Sequence, residues 1–317
     1  MPAIHDRQTG GSIYNRRVLE YLAKWMPVQL HLETAGAADG LWLVDSLCLE
    51  RWAGGTGVLI AHYLEIIDPR RCNSARAAAE SALLQRYRAV VTTSRFAERA
   101  LRAAGYTGQV AAIPPGLAPE YRAPAPDRKA AKQVAIVTIA SIVPDKGLME
   151  MFDALIELAE PDWTWEVIGD DALDSAFAAA FRDRVARSRL SDRITLRGAL
   201  PASELIAIYD RSDLFALPSR FETCSMATME AMARGLPVAA FQVGGLPDLL
   251  PEISRGALVA HGDAAGWARL LRRLIESPDD RRHLGEENRR ASAAFSSWED
   301  SALALERLLS SLSLQSE

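Results

Sequence analysis

The chain has 317 residues, 49% hydrophobic and 24% charged, with a net charge of −5. This is the balance of a globular protein with a sizeable core, and the length suggests two domains. The acidic balance sets nucleic acid aside as a partner of the whole molecule.

In chain order, the opening "MPAIHDRQTGG" leaves only a few residues ahead of Gly10 and Gly11. A doubly wound domain opens with a strand leading into a glycine loop, so that strand is very short or the start is late. Short Val/Ile/Leu runs then predict strands at 28–32, 41–45, 57–62, 89–94 and 109–114, with helices such as 73–87 and 95–104 between them. "PEYRAPAPDRKAAK" (119–132) has proline and charge without apolar period and reads as a linker. Beyond it, strands are predicted at 133–140, 163–169, 193–198, 214–219 and 237–241, separated by helices at 147–159, 173–188, 202–210 and 225–234. Continuous rather than alternating apolar runs indicate strands covered on both faces, as in parallel sheets. Strand–helix alternation indicates doubly wound α/β domains. "SSWEDSALALERLLSSLS" (296–313) is an amphipathic helix with Ser297 as its N-cap, and packing back across the domain junction is one way to bury its apolar face. The expected division is 1–128, 129–295 and a terminal helix at 296–317.

Charge is uneven: residues 1–128 carry +3 and the remainder −8. Between Arg70 and Arg102 eight arginines face two glutamates. A solvated helix face is the bland explanation; an anionic acceptor or peripheral contact with an anionic membrane surface is the sharper one. Cys48, Cys72 and Cys224 are too scattered for a zinc site or a disulfide framework. No run of 18 apolar residues and no leader at Met1 are visible, so a cytoplasmic location is expected.

The chemistry concentrates in "PSRFETCSMATMEAMARGLPVAAFQVGGLPD" (218–248), where seven residues separate Glu222 from Glu230. A buried strand ends at Pro218, and Thr223 or Ser225 can cap the helix that follows. Free amides at such a helix start suit an anion such as a phosphate. Glu230 shares the inward stripe of that helix with Met226, Met229 and Ala233. A buried carboxylate is costly without hydrogen-bond donors, and its acceptor-only oxygens suit a diol. A structural Arg or Lys partner for Glu230, with Glu222 solvated, is the plain alternative.

These residues resemble the nucleotide-sugar motif of family 4 of the retaining glycosyltransferases, a Glu-x7-Glu pair followed by a "GLPV" strand and a Gly-Gly loop. "TIASIVPDKGLMEMFDAL" resembles the family's Lys-Gly segment, "PAIHDRQTGGSIYNRRVLEYL" its amino-terminal glycine loop, and "SRGALVAHGD" (254–263) the tail of its second domain. The resemblance implies the GT-B fold, with two Rossmann-like domains facing an interdomain cleft. It implies that Glu230 holds the donor ribose, that Glu222 meets sugar hydroxyls, and that the amides of Thr223, Cys224, Ser225 and Met226 run along the sugar and diphosphate. Lys146 would neutralise the leaving diphosphate. Gly10 and Gly11 would approach the diphosphate from the other domain, and the segments at Gly169 and Arg197 would lie near the base. His62, ending a strand, would sit beside the donor sugar; Asp45 is a weaker candidate on the acceptor side. Retaining front-face transfer then needs no side-chain nucleophile, no cofactor beyond the nucleotide-sugar co-substrate and no obligatory metal. The resemblance leaves the acceptor open: a lipid, a small metabolite or a growing glycan would each fit.

Three departures bear on activity. Ser141 stands near the place of a basic residue in many members, and Thr223 and Ser225 replace glycines. A non-catalytic GT-B binding or regulatory subunit is therefore the alternative reading, and a sugar-nucleotide epimerase a third.

Overall fold

The computed structural model describes residues 9–28, 41–51, 57–124, 133–158 and 162–313. The chain forms two units. One holds the residues up to Gly116 together with those from Ser296 onward, and the other spans Leu117–Phe295.

The first unit opens with α1 (Gly10–Leu22). Thr9 Oγ1 accepts from the Ser12 amide at 3.3 Å, and Ser12 Oγ accepts from the Thr9 amide at 3.0 Å, a reciprocal cap. Gly10 and Gly11, expected in a loop, are thus the first turn of a helix. The cap satisfies the first amides, and Tyr14, Val18 and Leu22 bury one face. The strand sought ahead of them, and the one expected at 28–32, lie outside the described residues apart from Val28, which is not in a strand.

Among the described residues four parallel strands follow, β1 (Trp42–Asp45), β2 (Gly57–Ala61), β3 (Ala89–Thr92) and β4 (Gln109–Ala112), lying side by side in sequence order. α2 (Ala75–Leu84) links β2 to β3 and α3 (Arg95–Ala103) links β3 to β4, capped by Ser74 and Ser94. Val58, Leu59, Val90 and Val91 are wholly buried, as strands covered on both faces require.

The arginine-rich stretch is less free than a window of sequence suggests. Arg70 pairs with Asp68 at 2.7 Å, Arg71 with Glu65 at 3.4 Å and Arg76 with Glu80 at 3.4 Å. Arg102 donates to the carbonyls of Tyr106 and Gly108. Asp68 and Glu65 lie just upstream of the window, so they escaped its count.

The second unit runs β5 (Val134–Ile139), α4 (Leu148–Glu157), β6 (Trp163–Ile168), α5 (Ser175–Ala186), β7 (Ile194–Arg197), α6 (Ala202–Arg211), β8 (Leu214–Leu217), α7 (Met226–Ala233), β9 (Val238–Phe241), α8 (Leu246–Leu249), β10 (Leu258–Val259), α9 (Ala264–Glu276) and α10 (Pro278–Ser292). Among the described residues its six parallel strands lie in the order β10-β9-β8-β5-β6-β7. Alternate residues feed two cores: Ile136, Leu214 and Ala216 join Trp165, Phe152 and Trp267 on one face, while Val137, Phe215 and Leu217 join Tyr209, Met232 and Tyr121 on the other. Each fully buried large side chain contributes about 1.5–3 kcal/mol. Order reverses between β5 and β8, and such a switch point opens a crevice at the carboxyl ends of the strands.

The last helix, α11 (Trp298–Ser313), belongs to the first unit. Ser297 Oγ accepts from the Asp300 amide at 3.1 Å, and Asp300 returns the bond to the Ser297 amide at 2.8 Å. Its stripe of Trp298, Ala302, Leu305, Leu309 and Leu312 is buried, and the helix packs on α1. Trp298 meets Tyr14 edge to face at 6.0 Å. No helix among the described residues is long and apolar enough to cross a membrane.

Candidate functional site

The loops leaving β5 and β8 meet at the switch point of the second unit. After β5 the chain makes a short turn, Pro144–Lys146, and reverses at Gly147 with φ +64°. A Cβ at Gly147 would lie 1.8 Å from the Pro218 carbonyl oxygen at the end of β8, so only glycine fits there. Arg220 ties the loops again: its amide donates to the Asp145 carbonyl at 2.9 Å and its guanidinium to Glu150 of α4 at 2.7 Å.

Two of the residues singled out in the sequence touch directly. Lys146 Nζ lies 2.6 Å from Glu222 Oε1. Glu222 is buried at 7% exposure, whereas the lysine side chain keeps 27%. The loop after β9 closes behind them: Gly245 donates its amide to the Glu222 carbonyl at 2.8 Å. Gly244, at φ +54°, would place a Cβ 1.8 Å from that same oxygen.

From Glu222 the chain enters α7. Of the two candidate caps, Ser225 is the one used, its Oγ accepting from the Thr228 amide at 3.3 Å. Thr223, Cys224 and Met226 are half-buried beside it. Burial, and then the Glu222 charge, push the Cys224 thiol up to about 12, so it is neutral near pH 7.

One turn on, Glu230 has partners that the sequence did not disclose. The Tyr209 hydroxyl of α6 lies 2.9 Å from Glu230 Oε2, and Tyr121 also hydrogen-bonds the carboxylate. Neither an Arg nor a Lys is its bonding partner among the described contacts. Burial raises Glu230 to about 7, against the opposing pull of the two phenols.

The remaining second-unit candidates sit along the strand ends. Gly169 packs so closely on β5 that a Cβ would lie 1.9 Å from the Ala140 carbonyl, next to Ser141. Arg197, on the edge strand, is drawn back onto Glu166 of β6, which also pairs with Arg211 at 2.6 Å.

His62, Gly10 and Gly11 belong to the first unit, where a separate cluster forms. His62 Nε2 lies 2.9 Å from Asn15 Oδ1 and 3.6 Å from Asp45 Oδ2. Asn15 Nδ2 donates to Asp45 Oδ2 at 2.5 Å. A carboxylate only accepts, so the amide nitrogen must face Asp45 and the amide oxygen must face the ring; His62 therefore carries its proton on Nε2. Burial lowers the histidine below its usual value although Asp45 pulls upward, so the ring is neutral near pH 7. A Cβ at Gly11 would meet the ring at 3.1 Å, and Tyr14 packs edge to face at 5.3 Å. Asn15 escaped the sequence reading because α1 was not foreseen; a helix begun at Thr9 puts Gly11 and Asn15 on one face. Among the described residues, no group of three or more His, Cys, Asp or Glu is placed to hold a metal ion.

This architecture matches known structures. Sucrose-phosphate synthase from Thermosynechococcus elongatus superposes with a TM-score of 0.74 at 24% identity, covering 87% of this chain and 74% of that one. Anabaena HepE, solved with UDP and glucose, superposes at 0.68 and 19% identity over 81% and 72%. The fold is GT-B. By sequence, the chain is 34% identical over 142 residues to a 2-deoxystreptamine glucosyltransferase of Streptomyces kanamyceticus, covering 44% of this chain and 36% of the relative. It is 33% identical over 184 residues to a D-inositol 3-phosphate glycosyltransferase of Corynebacterium efficiens, covering 57% and 43%. These alignments thus span less than half of each curated relative. The family model for glycosyl transferases group 1 matches residues 122–291, more than half of the chain, and the protein belongs to that family.

Proposed function

We propose that this protein is a retaining glycosyltransferase of family 4, moving a sugar from a nucleotide-sugar donor to an acceptor hydroxyl. The observation that carries this reading is the meeting of Lys146 and Glu222 at the β5–β8 switch point, in the loop that leads into α7. Glu230 is assigned to the ribose diol, Lys146 to the diphosphate, and Glu222 to the sugar hydroxyls. The amides of residues 223–226 are assigned to the sugar and phosphates, Ser141 to the diphosphate beside Lys146, Gly169 and Arg197 to the base, Gly10 and Gly11 to the diphosphate, and His62 to the transferred sugar.

In the proposed step the bond from the sugar C1 to the β-phosphate oxygen breaks while the acceptor oxygen bonds C1 on the same face. The acceptor's proton passes to the departing phosphate. Lys146 stabilises the charge that grows there, so the protein contributes position and electrostatics and needs no metal or other cofactor for the step. Peripheral contact with an anionic membrane surface through Arg70–Arg102 is a secondary part of this reading; Arg70, Arg71 and Arg76 pair with carboxylates, so it would rest on the other arginines of the stretch. A cytoplasmic location is retained from the sequence.

UDP-glucose is the first donor to try, because the fold neighbour HepE was solved with UDP and glucose. The test is NMR of donor turnover, with a panel of nucleotide sugars and of lipid, small-molecule and glycan acceptors. Transfer or slow donor hydrolysis with the anomeric configuration kept supports the proposal. Inverted products contradict the mechanism. No turnover of any donor, despite glycan or partner binding, favours the non-catalytic subunit.

A further inference from the structure

The phenolic proton of Tyr209 has two acceptors in reach, Glu230 Oε2 at 2.9 Å and the Ala227 carbonyl at 3.1 Å. One hydroxyl proton serves one strong bond at a time. When Glu230 is ionised, Tyr209 donates to the carboxylate. When Glu230 is protonated, the carboxyl O–H donates to the phenolic oxygen and the Tyr209 proton turns to Ala227. Tyr209 thus satisfies Glu230 in both protonation states without either side chain changing place.

Tyr209 is fully buried and packs edge to face on Tyr121 at 6.0 Å. Tyr121 is fixed in turn by backbone neighbours: Arg234, itself buried and paired with Asp210, donates to the carbonyls of Tyr121 and Ala123. The carboxylate is therefore gripped by two phenols from separate segments, each locked by packing. Two phenol bonds leave part of a carboxylate's four acceptor positions for another donor pair.

We propose that Tyr209, seconded by Tyr121, is the positioning residue that orients Glu230 for a nucleotide diol. This rests on the assignment of Glu230 to the donor ribose. The phenols do not touch the nucleotide; they hold the group that does. The ionisable groups that act on Glu230 are these two tyrosines, and the Arg234–Asp210 pair holds the backbone of Tyr121.

The experiment measures two quantities in the full chain for the wild type, Tyr209→Phe, Tyr121→Phe and Glu230→Gln. One is the titration of the Glu230 side-chain carbon by NMR without ligand, the glutamine variant assigning the signal. The other is the affinity for UDP, GDP, ADP and dTDP from pH 6 to 9. Phenylalanine keeps the ring and removes only the hydroxyl. In wild type, affinity for one nucleotide should fall as pH drops through the Glu230 titration. In Tyr209→Phe the titration and the affinity profile should move together to higher pH, with affinity down about tenfold near neutrality; Tyr121→Phe should do the same to a smaller degree. A merely structural tyrosine would lower stability without moving the profile. An unmoved profile in Tyr209→Phe with normal wild-type binding overturns the positioning role. A moved titration with no nucleotide bound by wild type at any pH overturns the donor assignment, and the positioning role with it.

Discussion

Lys146 and Glu222 form an ion pair of 2.6 Å between two loops that are 76 residues apart in the chain. The pair is lopsided, since the carboxylate is the buried partner. Removing the lysine strands a buried charge, and Lys146→Met should cost about 3 kcal/mol in urea unfolding. Glu222→Gln leaves a cation that can reach water and should cost about 1 kcal/mol. The two variants should also part in binding. Glu222→Gln frees Lys146 for the diphosphate, so nucleotide affinity should rise about fivefold while transfer falls; Lys146→Met should lose both. Calorimetry and initial rates check this.

Glu230 makes the stability of the ligand-free protein depend on pH in an unusual sense. Its native value, near 7, lies above the ordinary 4.5, so between these values the native state binds more protons than the unfolded state. Stability then falls as pH rises through that window. Glu230→Gln should remove the dependence and be more stable than wild type at pH 8 by about 1–3 kcal/mol, read from melts at pH 5 and pH 8.

The histidine cluster of the first unit has the opposite sign. His62 lies below its ordinary 6.5, so the unfolded state binds more protons below that value. Stability should drop as pH falls through the region just under 6.5, and His62→Phe should flatten that decline. Asn15→Leu removes the donor to buried Asp45 and the acceptor for His62, and should cost about 2 kcal/mol.

Gly147 and Gly244 each combine a left-handed backbone with a carbonyl oxygen where a Cβ would go. Alanine at either should cost about 3 kcal/mol or more, combining strain with overlap. Gly244→Ala presses on the Glu222 carbonyl and should also impair transfer, whereas Gly10→Ala, with open space around it, should be tolerated in melts.

The sequence carried the second unit well because its signals are local. Runs such as 134–137 and 214–217 are apolar without a break, and Pro218 marks where the second stops. The Glu222–Glu230 spacing was readable for the same reason. What it could not carry were partners distant in the chain. Tyr209 reads as one more apolar residue on the stripe of α6, and only folding brings it to a carboxylate 21 residues on. Glu222 reads as a loop acid, yet the loop after β9 closes over it. Asn15 was hidden behind α1, whose cap rests on Thr9 and Ser12 rather than on a preceding apolar period. The Arg70–Arg102 surplus is smaller than the stretch alone suggests, since Asp68 and Glu65, just upstream of it, pair with Arg70 and Arg71.

The central claim is that the second unit carries a nucleotide-binding site with Glu230 in it. The most direct measurement is thermal unfolding of wild type and Glu230→Ala at pH 8 with millimolar UDP, GDP, ADP or dTDP. A ligand present at 100 times its dissociation constant adds about 2.7 kcal/mol to the native state. The account predicts a clear upward shift with one of the four in wild type, lost or much reduced in the variant. No shift with any nucleotide, or an equal shift in both proteins, would contradict it.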